Sequence, residues 1–113
     1  MTTLPLLTST QTSLDGSGSG TCSIGPTSQG EVWTLSVIGV RCLTNVSESI
    51  CQVYIGPAGS TSYLVGTTTW GSTGDSDTDI SFVLNTGQQV TASWTNGDAG
   101  TTAYLSVVGS KTT

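Results

Sequence analysis

The clearest structural signal in this sequence is the stretch Gln88–Val108, which reads QQVTASWTNGDAGTTAYLSVV. Apolar side chains stand at alternate positions on each side of its middle: Val90, Ala92 and Trp94, then Ala103, Leu105 and Val107. An apolar residue at every second position is typical of a β-strand that buries one face. The middle, residues 96–100, is NGDAG, a run that favours turns. The stretch therefore predicts two strands joined by a turn.

The same alternation of strands and turns extends through most of the chain. Strand-like segments cover residues 31–40, 50–55, 61–66, 67–70 and 80–84, and most of them are separated by residues that favour turns. No segment has the apolar spacing of an amphipathic helix. Seven or eight short strands at this spacing predict an all-β domain, either an antiparallel β-sandwich or a jelly-roll-like small barrel.

The strand at residues 31–40 is expected to be covered on both sides. Strict alternation gives one face the side chains Trp33, Leu35 and Val37, and gives the other face Val32, Ile38 and Val40. Because both faces are apolar, neither is expected to lie against water.

Residues 1–20 differ in composition from the rest of the chain. Their large apolar side chains after Met1 are Leu4, Leu6, Leu7 and Leu14, and the segment ends in the run DGSGSG. Such a composition is typical of a flexible arm or linker. We therefore divide the chain into an extended N-terminal arm, residues 1–20, and a β-sandwich domain, residues 21–113. On this view, removal of residues 1–19 leaves the sandwich folded and abolishes assembly.

Composition excludes several classes of function. The 113 residues include 22 Thr, 17 Ser and 15 Gly, 8% of the residues are charged, and the net charge is -5. Without histidine there is no Ser-His-Asp or Cys-His catalytic set and no histidine metal site. One Arg and one Lys cannot neutralise a row of phosphates, and no apolar run spans a membrane. We expect no enzymatic activity, no cofactor, and neither nucleic acid nor a membrane as a partner.

The three cysteines, Cys22, Cys42 and Cys51, are an odd number, which is unusual for a secreted disulfide scaffold. We interpret all three as small buried or half-buried residues. A Cys42–Cys51 disulfide is compatible with the spacing, although a reducing cytosol disfavours it.

One acidic cluster is a weak candidate for a metal site. Asp75, Asp77 and Asp79 stand at alternate positions, where carboxylates could converge on a hard cation such as Ca²⁺. The spacing is not that of an EF-hand, because Ile80 and Thr86 occupy the positions that need Gly and Glu. A solvated loop is the favoured interpretation, and we expect no bound metal.

The aromatic residues allow two interpretations. Trp33 and Trp94 are in phase with apolar neighbours and are predicted to lie in the core. Trp70 stands before Gly71 at the start of a polar loop, and core and interface are equally favoured for it. An exposed aromatic side chain could stack on a sugar ring or contact another subunit.

Several motifs together resemble a family of viral proteins. They are TQTSLDGSGSG at 10–20, IGPT at 24–27, GEVW at 30–33, TNVSE at 44–48, CQVYIGP at 51–57, GQQV at 87–90, WTNGDAG at 94–100 and AYLSVVG at 103–109. In these motifs, which cover nearly the whole chain, the sequence resembles the small β-rich structural proteins of tailed phages that infect actinobacteria. The resemblance implies a non-enzymatic virion component, and no catalytic residue is carried over.

Within that family, the role that fits the composition best is a capsid decoration (cement) protein. Its implied partners are the major capsid protein and further copies of itself, as a homotrimer on the outside of the shell. With no secretion signal at residues 1–7, assembly in the bacterial host cytoplasm is expected, with the virion as destination. Alternatives are a minor tail, baseplate or fibre component and a module that binds host cell-wall carbohydrate. The residues we assign to the assembly interface are Leu4, Leu6, Leu7, Leu14 and Trp70.

Overall fold

The structure, a computed structural model, describes residues 2–42, 49–57, 64–69, 76–77 and 82–113. These residues form strands and turns, and none of them forms a helix long and apolar enough to cross a membrane. The strands are β1 (Thr3–Ser13), β2 (Gly20–Ile24), β3 (Val32–Cys42), β4 (Ile50–Pro57), β5 (Leu64–Thr69), β6 (Ser76–Asp77), β7 (Phe82–Leu84), β8 (Gln88–Thr95) and β9 (Thr102–Thr112).

The strands make two antiparallel sheets. The first sheet has the order β1-β9-β3-β6, and β7 also pairs with β3. The second sheet has the order β2-β8-β4-β5. β7 pairs with Trp33–Leu35 and β6 pairs with Ile38 and Gly39, so the two short strands continue along one edge of β3.

The inner faces of both sheets supply one hydrophobic core, so the molecule is the antiparallel β-sandwich that the sequence predicts. Leu35 and Leu105 from the first sheet and Val90 and Trp94 from the second are fully buried. The alternating apolar residues of β8 and β9 lie in this core, as expected. The turn at residues 96–100 carries the chain from the second sheet to the first, because β8 and β9 belong to different sheets.

The N-terminal segment is part of the sandwich. β1 pairs with β9 without interruption, from Thr3 opposite Thr112 to Ser13 opposite Thr102. The expected extended arm over residues 1–20 is therefore wrong for residues 3–13, which form an edge strand of the first sheet. Composition misled the prediction because an edge strand with one solvated face needs few large apolar side chains.

A β-bulge at Ser36 changes which face of β3 is buried. Leu35 pairs with Gly109 and Val37 pairs with Val108, so Ser36 is an extra residue in β3. Its hydroxyl donates a hydrogen bond of 3.1 Å to the Val108 carbonyl oxygen. After the bulge the inward side chains are Ile38, Val40 and Cys42. The expected double-sided strand is therefore wrong: β3 buries one face, and Val37 lies on the other.

The Gly/Ser-rich run between β1 and β2 is a structured turn. The Asp15 carboxylate accepts hydrogen bonds from the backbone N–H groups of Ser17 (2.9 Å) and Ser19 (3.0 Å) and from the Ser17 hydroxyl (2.7 Å). These bonds, the Ser17 hydroxyl foremost, lower the pKa of Asp15. The Gly97 N–H donates to the Gly18 carbonyl oxygen (3.0 Å), which fixes the turn against residues 96–100.

Candidate assembly surface

The structure divides the residues assigned to assembly into two groups. Leu6 and Leu14 are 6% and 3% exposed and belong to the core, so their assignment to an interface is wrong. Leu4 and Leu7 are 48% and 80% exposed and remain available for contact. Trp70 lies outside the described residues. Leu6 and Leu7 differ because successive residues of a strand point to opposite faces.

The outer face of the first sheet carries an apolar row across three strands. Leu7 of β1 lies opposite Val108 of β9, and Val108 lies opposite Val37 of β3. We call Leu7, Val108 and Val37 the outer apolar row. Val108 is 37% exposed and Val37 is half-buried. Directly opposed residues in an antiparallel sheet lie close enough for their side chains to touch, so the row is a continuous apolar strip.

A fourth apolar side chain extends this surface toward β7. Val83 pairs with Thr34, which pairs in turn with Ser110, so the three form the next cross-strand row. Val83 is 54% exposed. The outer apolar row and Val83 therefore lie in neighbouring rows of one solvated sheet face.

Apart from Val83, the described side chains beside the outer apolar row include several that are polar but uncharged. Its neighbours on the same face include Ser9 and Ser106, which pair with each other, and Thr34. Along β3, the first charged residue after Val37 is Arg41. A surface of this kind is desolvated without removing ions from water, which favours burial against another protein.

The outer face of the second sheet is more polar. Among its described side chains, the exposed large apolar ones are Ile50 (38%) in β4 and Leu64 (49%) in β5. On the same sheet, the Tyr54 hydroxyl donates to the Gln52 side-chain oxygen (2.8 Å), and the Ser23 and Thr91 hydroxyls are hydrogen-bonded to each other (2.9 Å). These contacts satisfy polar groups within the sheet itself. The first sheet is therefore the better candidate for an assembly surface.

The three cysteines are free, and their placement confirms the prediction of small core residues. Cys42 and Cys51 are buried and Cys22 is half-buried. Burial raises the pKa of Cys22 to about 11. Burial and, secondarily, the nearby thiols of Cys22 and Cys42 raise the pKa of Cys51 to about 12. Thiols with such pKa values are protonated at neutral pH and are poor nucleophiles.

The acidic cluster lies mainly outside the described residues. Asp75 and Asp79 are not among them, and Asp77 lies in β6, opposite Ile38. Within the described parts of the chain, no three His, Cys, Asp or Glu side chains are grouped as a metal site would need.

The described tryptophans lie in the core, as predicted. Trp94 is fully buried and Trp33 is 7% exposed, with its indole N–H donating to the Glu31 carboxylate at 2.8 Å. Tyr54 and Tyr104 are half-buried.

Sequence reasoning missed three members of the apolar surface. Alternation with Val107 puts Val108 on the outer side of its strand, but the sequence does not show which residues lie beside it there. Val37 was placed on the wrong face because nothing in the sequence marks the bulge at Ser36. The position of Val83 depends on the pairing of β7 with β3, which links residues far apart in sequence.

No protein-family model matches the chain, and no curated protein matches it. A solved structure described as Bacillus endospore appendages that form a novel family of disulfide-linked pili is similar over 99% of this chain and 88% of that chain. The two share 15% sequence identity and a TM-score of 0.48.

Proposed function

We propose that the chain is a non-enzymatic structural subunit of a phage virion, a capsid decoration protein that binds the outer shell and stabilises it through subunit contacts. The observation that carries the proposal is the outer apolar row, Leu7, Val108 and Val37, on a solvated sheet face. Contiguous apolar side chains that remain exposed in a folded subunit mark a surface that another protein covers. The partner we propose is the major capsid protein.

The strand order supports a viral structural role. With β6 and β7 counted as one interrupted strand, four strands in the order β1-β9-β3-β6 face four in the order β2-β8-β4-β5. We propose that these eight strands form a jelly roll, an architecture used by viral capsid proteins. An all-β sandwich is consistent with the small β-rich phage structural proteins that the sequence resembles.

The charge distribution favours a protein as the partner over a nucleic acid or an anionic membrane. The chain has two basic and seven acidic residues, and the apolar row is flanked by hydroxyl-bearing side chains. Neither a phosphate backbone nor an anionic membrane surface finds complementary charge here. A protein shell with its own apolar contacts is the better match.

The binding test uses variants on the two outer faces. Leu7→Thr combined with Val108→Thr should weaken binding to purified phage shells by at least about tenfold, because two apolar anchors are lost from the contact. The matched control is Leu64→Thr on the second sheet, where the exposed side chain is also apolar. Binding is measured by co-sedimentation with shells over a concentration series. Equal binding by all three proteins would overturn the assignment of this face.

The copy number in purified virions tests the role itself. Quantitative mass analysis against the major capsid protein should find hundreds of copies for a decoration protein. A handful to a few dozen copies would assign the chain to the tail, the baseplate or a fibre instead. Absence from virions would refute the structural role and favour a free carbohydrate-binding module.

A further inference from the structure

β1 has one edge without a partner among the described residues. It is the terminal strand of the first sheet and pairs with β9 alone. Its 11 residues, TLPLLTSTQTS, include no charged side chain. Charged residues are a common device for keeping an edge strand from pairing with another chain, and β1 lacks it.

The hydrogen-bonding direction of each β1 residue follows from the two ends of the β1–β9 ladder. At one end, the N–H groups of Thr2 and Thr113 each donate to the other's carbonyl oxygen, at 3.2 and 2.9 Å. At the other end, the Leu14 N–H donates to Thr101 (2.8 Å). In an antiparallel pair, alternate residues bond to the partner, and the register is unbroken between these ends. Even-numbered residues of β1 therefore bond to β9, and odd-numbered residues direct their N–H and C=O groups to the free edge.

Proline divides this free edge into two parts. Pro5 is odd-numbered, so the missing N–H belongs to the free edge and removes a donor there. Beyond Pro5, Leu7, Ser9, Gln11 and Ser13 each present one donor and one acceptor. The part of the edge that can form an uninterrupted hydrogen-bonded ladder with another strand is therefore Leu7–Ser13, and we call it the competent edge.

We propose that Leu7–Ser13 pairs antiparallel with the same segment of a second copy of this chain, about a twofold axis at Thr10. In this register Leu7 bonds to Ser13 of the second copy and Ser9 bonds to Gln11, so every donor of the competent edge is used. Pro5 falls outside the paired segment. Registers centred nearer to Leu7 bring Pro5 into the ladder and lose hydrogen bonds.

The side chains of the segment suit pairing with themselves. Thr8, Thr10 and Thr12 are half-buried and share one face of β1. The twofold register places Thr10 opposite Thr10 and Thr8 opposite Thr12, and cross-strand threonine pairs stabilise sheets. Because the segment is uncharged, symmetry brings no like charges together. A second copy is therefore the occupant that this edge fits.

This pairing joins two first sheets into one continuous sheet and gives a dimer, whereas the resemblance to phage proteins implies a trimer. The inference does not depend on the proposed viral role, because the purified chain alone should dimerise. Shell binding can fail while dimerisation stands, and the reverse also holds.

Single cysteine variants test the register. Thr10→Cys places two thiols directly opposite each other in a pair that is not hydrogen-bonded, within reach of a disulfide. Thr8→Cys is the matched control, since its copy would lie roughly 13 Å away along the strands. Under mild oxidation, Thr10→Cys should give a crosslinked dimer on a non-reducing gel, while Thr8→Cys and the unaltered chain should remain single chains. Crosslinking of Thr8→Cys but not Thr10→Cys would overturn the register.

The mass in solution tests the pairing itself. Light scattering on the unaltered chain should give twice the mass of one chain. Ser9→Pro removes a free-edge donor and leaves the β1–β9 bonds intact, so this variant should run as a folded monomer with an unchanged circular dichroism spectrum. A monomeric or trimeric mass for the unaltered chain, or an unaffected dimer in folded Ser9→Pro, would refute the proposal. If Ser9→Pro does not fold, the crosslinking of Thr10→Cys decides.

Discussion

At the scale of single residues, the turn that leads from β1 to β2 depends on Gly18. Its φ is +77°, a conformation that residues with a Cβ rarely adopt. A Cβ at this position would also collide with the Gly97 carbonyl oxygen. Both constraints act together because Gly18 holds the turn against the segment that links the two sheets.

Gly18→Ala should therefore destabilise the protein by about 1–3 kcal/mol through strain and steric conflict. Gly16→Ala is the matched control in the same turn, since a Cβ there meets nothing within 4 Å. Its effect should stay within about 0.5 kcal/mol. Urea unfolding of the three proteins measures the difference, and equal stabilities would show that the turn relaxes freely.

The Cys51 thiol gives a second prediction, on the pH dependence of stability. Burial raises its pKa from 9.0 to about 12, so the folded state holds the proton more tightly than the unfolded state. The stability from this group is complete below about pH 9 and is lost as the pH rises toward 12. Between about pH 8 and 10.5, unfolding free energy should fall less in Cys51→Ala than in the unaltered chain. Parallel pH profiles for the two proteins would contradict this.

At the scale of elements, β1 is a strand whose amino-acid composition is typical of a linker, so composition does not reveal it. Its inward positions after Leu6 are threonines, and its outward positions include Ser9, Gln11 and Ser13. Alternation of large apolar and polar residues is therefore absent over most of the strand. The pairing with β9 defines β1, and that contact joins the two ends of the sequence.

Neighbouring leucines of β1 should respond oppositely to truncation. Leu6→Ala should destabilise the fold by about 2–4 kcal/mol, because a 6% exposed side chain is removed from the core. Leu7→Ala should change stability by no more than about 0.5 kcal/mol, since Leu7 is 80% exposed. Chemical denaturation of both variants is the measurement. A large loss for Leu7→Ala would mean that the outer face packs within the subunit.

Sequence alone predicted the strands whose inward side chains are large, and it predicted the sandwich from them. The alternation in β8 and β9 and the burial of Trp33 and Trp94 are confirmed. The features that the sequence could not predict depend on a single inserted residue in a strand or on the pairing of strands far apart in the sequence. Ser36 carries no local signal for a bulge, yet it decides on which face Val37 lies. Of the outer apolar row, only Leu7 could be assigned to an interface from the sequence, because strand register brings Val37 and Val108 beside it.

At the scale of the whole molecule, the low charge determines how copies of the chain should associate. Each copy carries a net charge of -5, while Leu7–Ser13 carries none. Two copies therefore repel each other weakly over long range, and no ion pair holds the proposed contact. Salt screens the repulsion and removes no attraction.

The dissociation constant of the proposed dimer should consequently fall or stay constant as NaCl rises from about 50 mM to about 1 M. Sedimentation equilibrium at several salt concentrations measures it. Ser9→Glu is a useful comparison, because its added negative charges should weaken the dimer most at low salt. A dissociation constant that rises more than about tenfold with salt would indicate ion pairs at the contact.

The meeting of Thr2 and Thr113 at one corner of the first sheet has a mechanical consequence. Tension applied between these two residues would load the β1–β9 hydrogen bonds one after another, as in the opening of a zipper. Tension applied along the strands would load many bonds at once. Pulled at Thr2 and Thr113, the sandwich is therefore mechanically weak, whereas pulled along β1 it resists far larger forces.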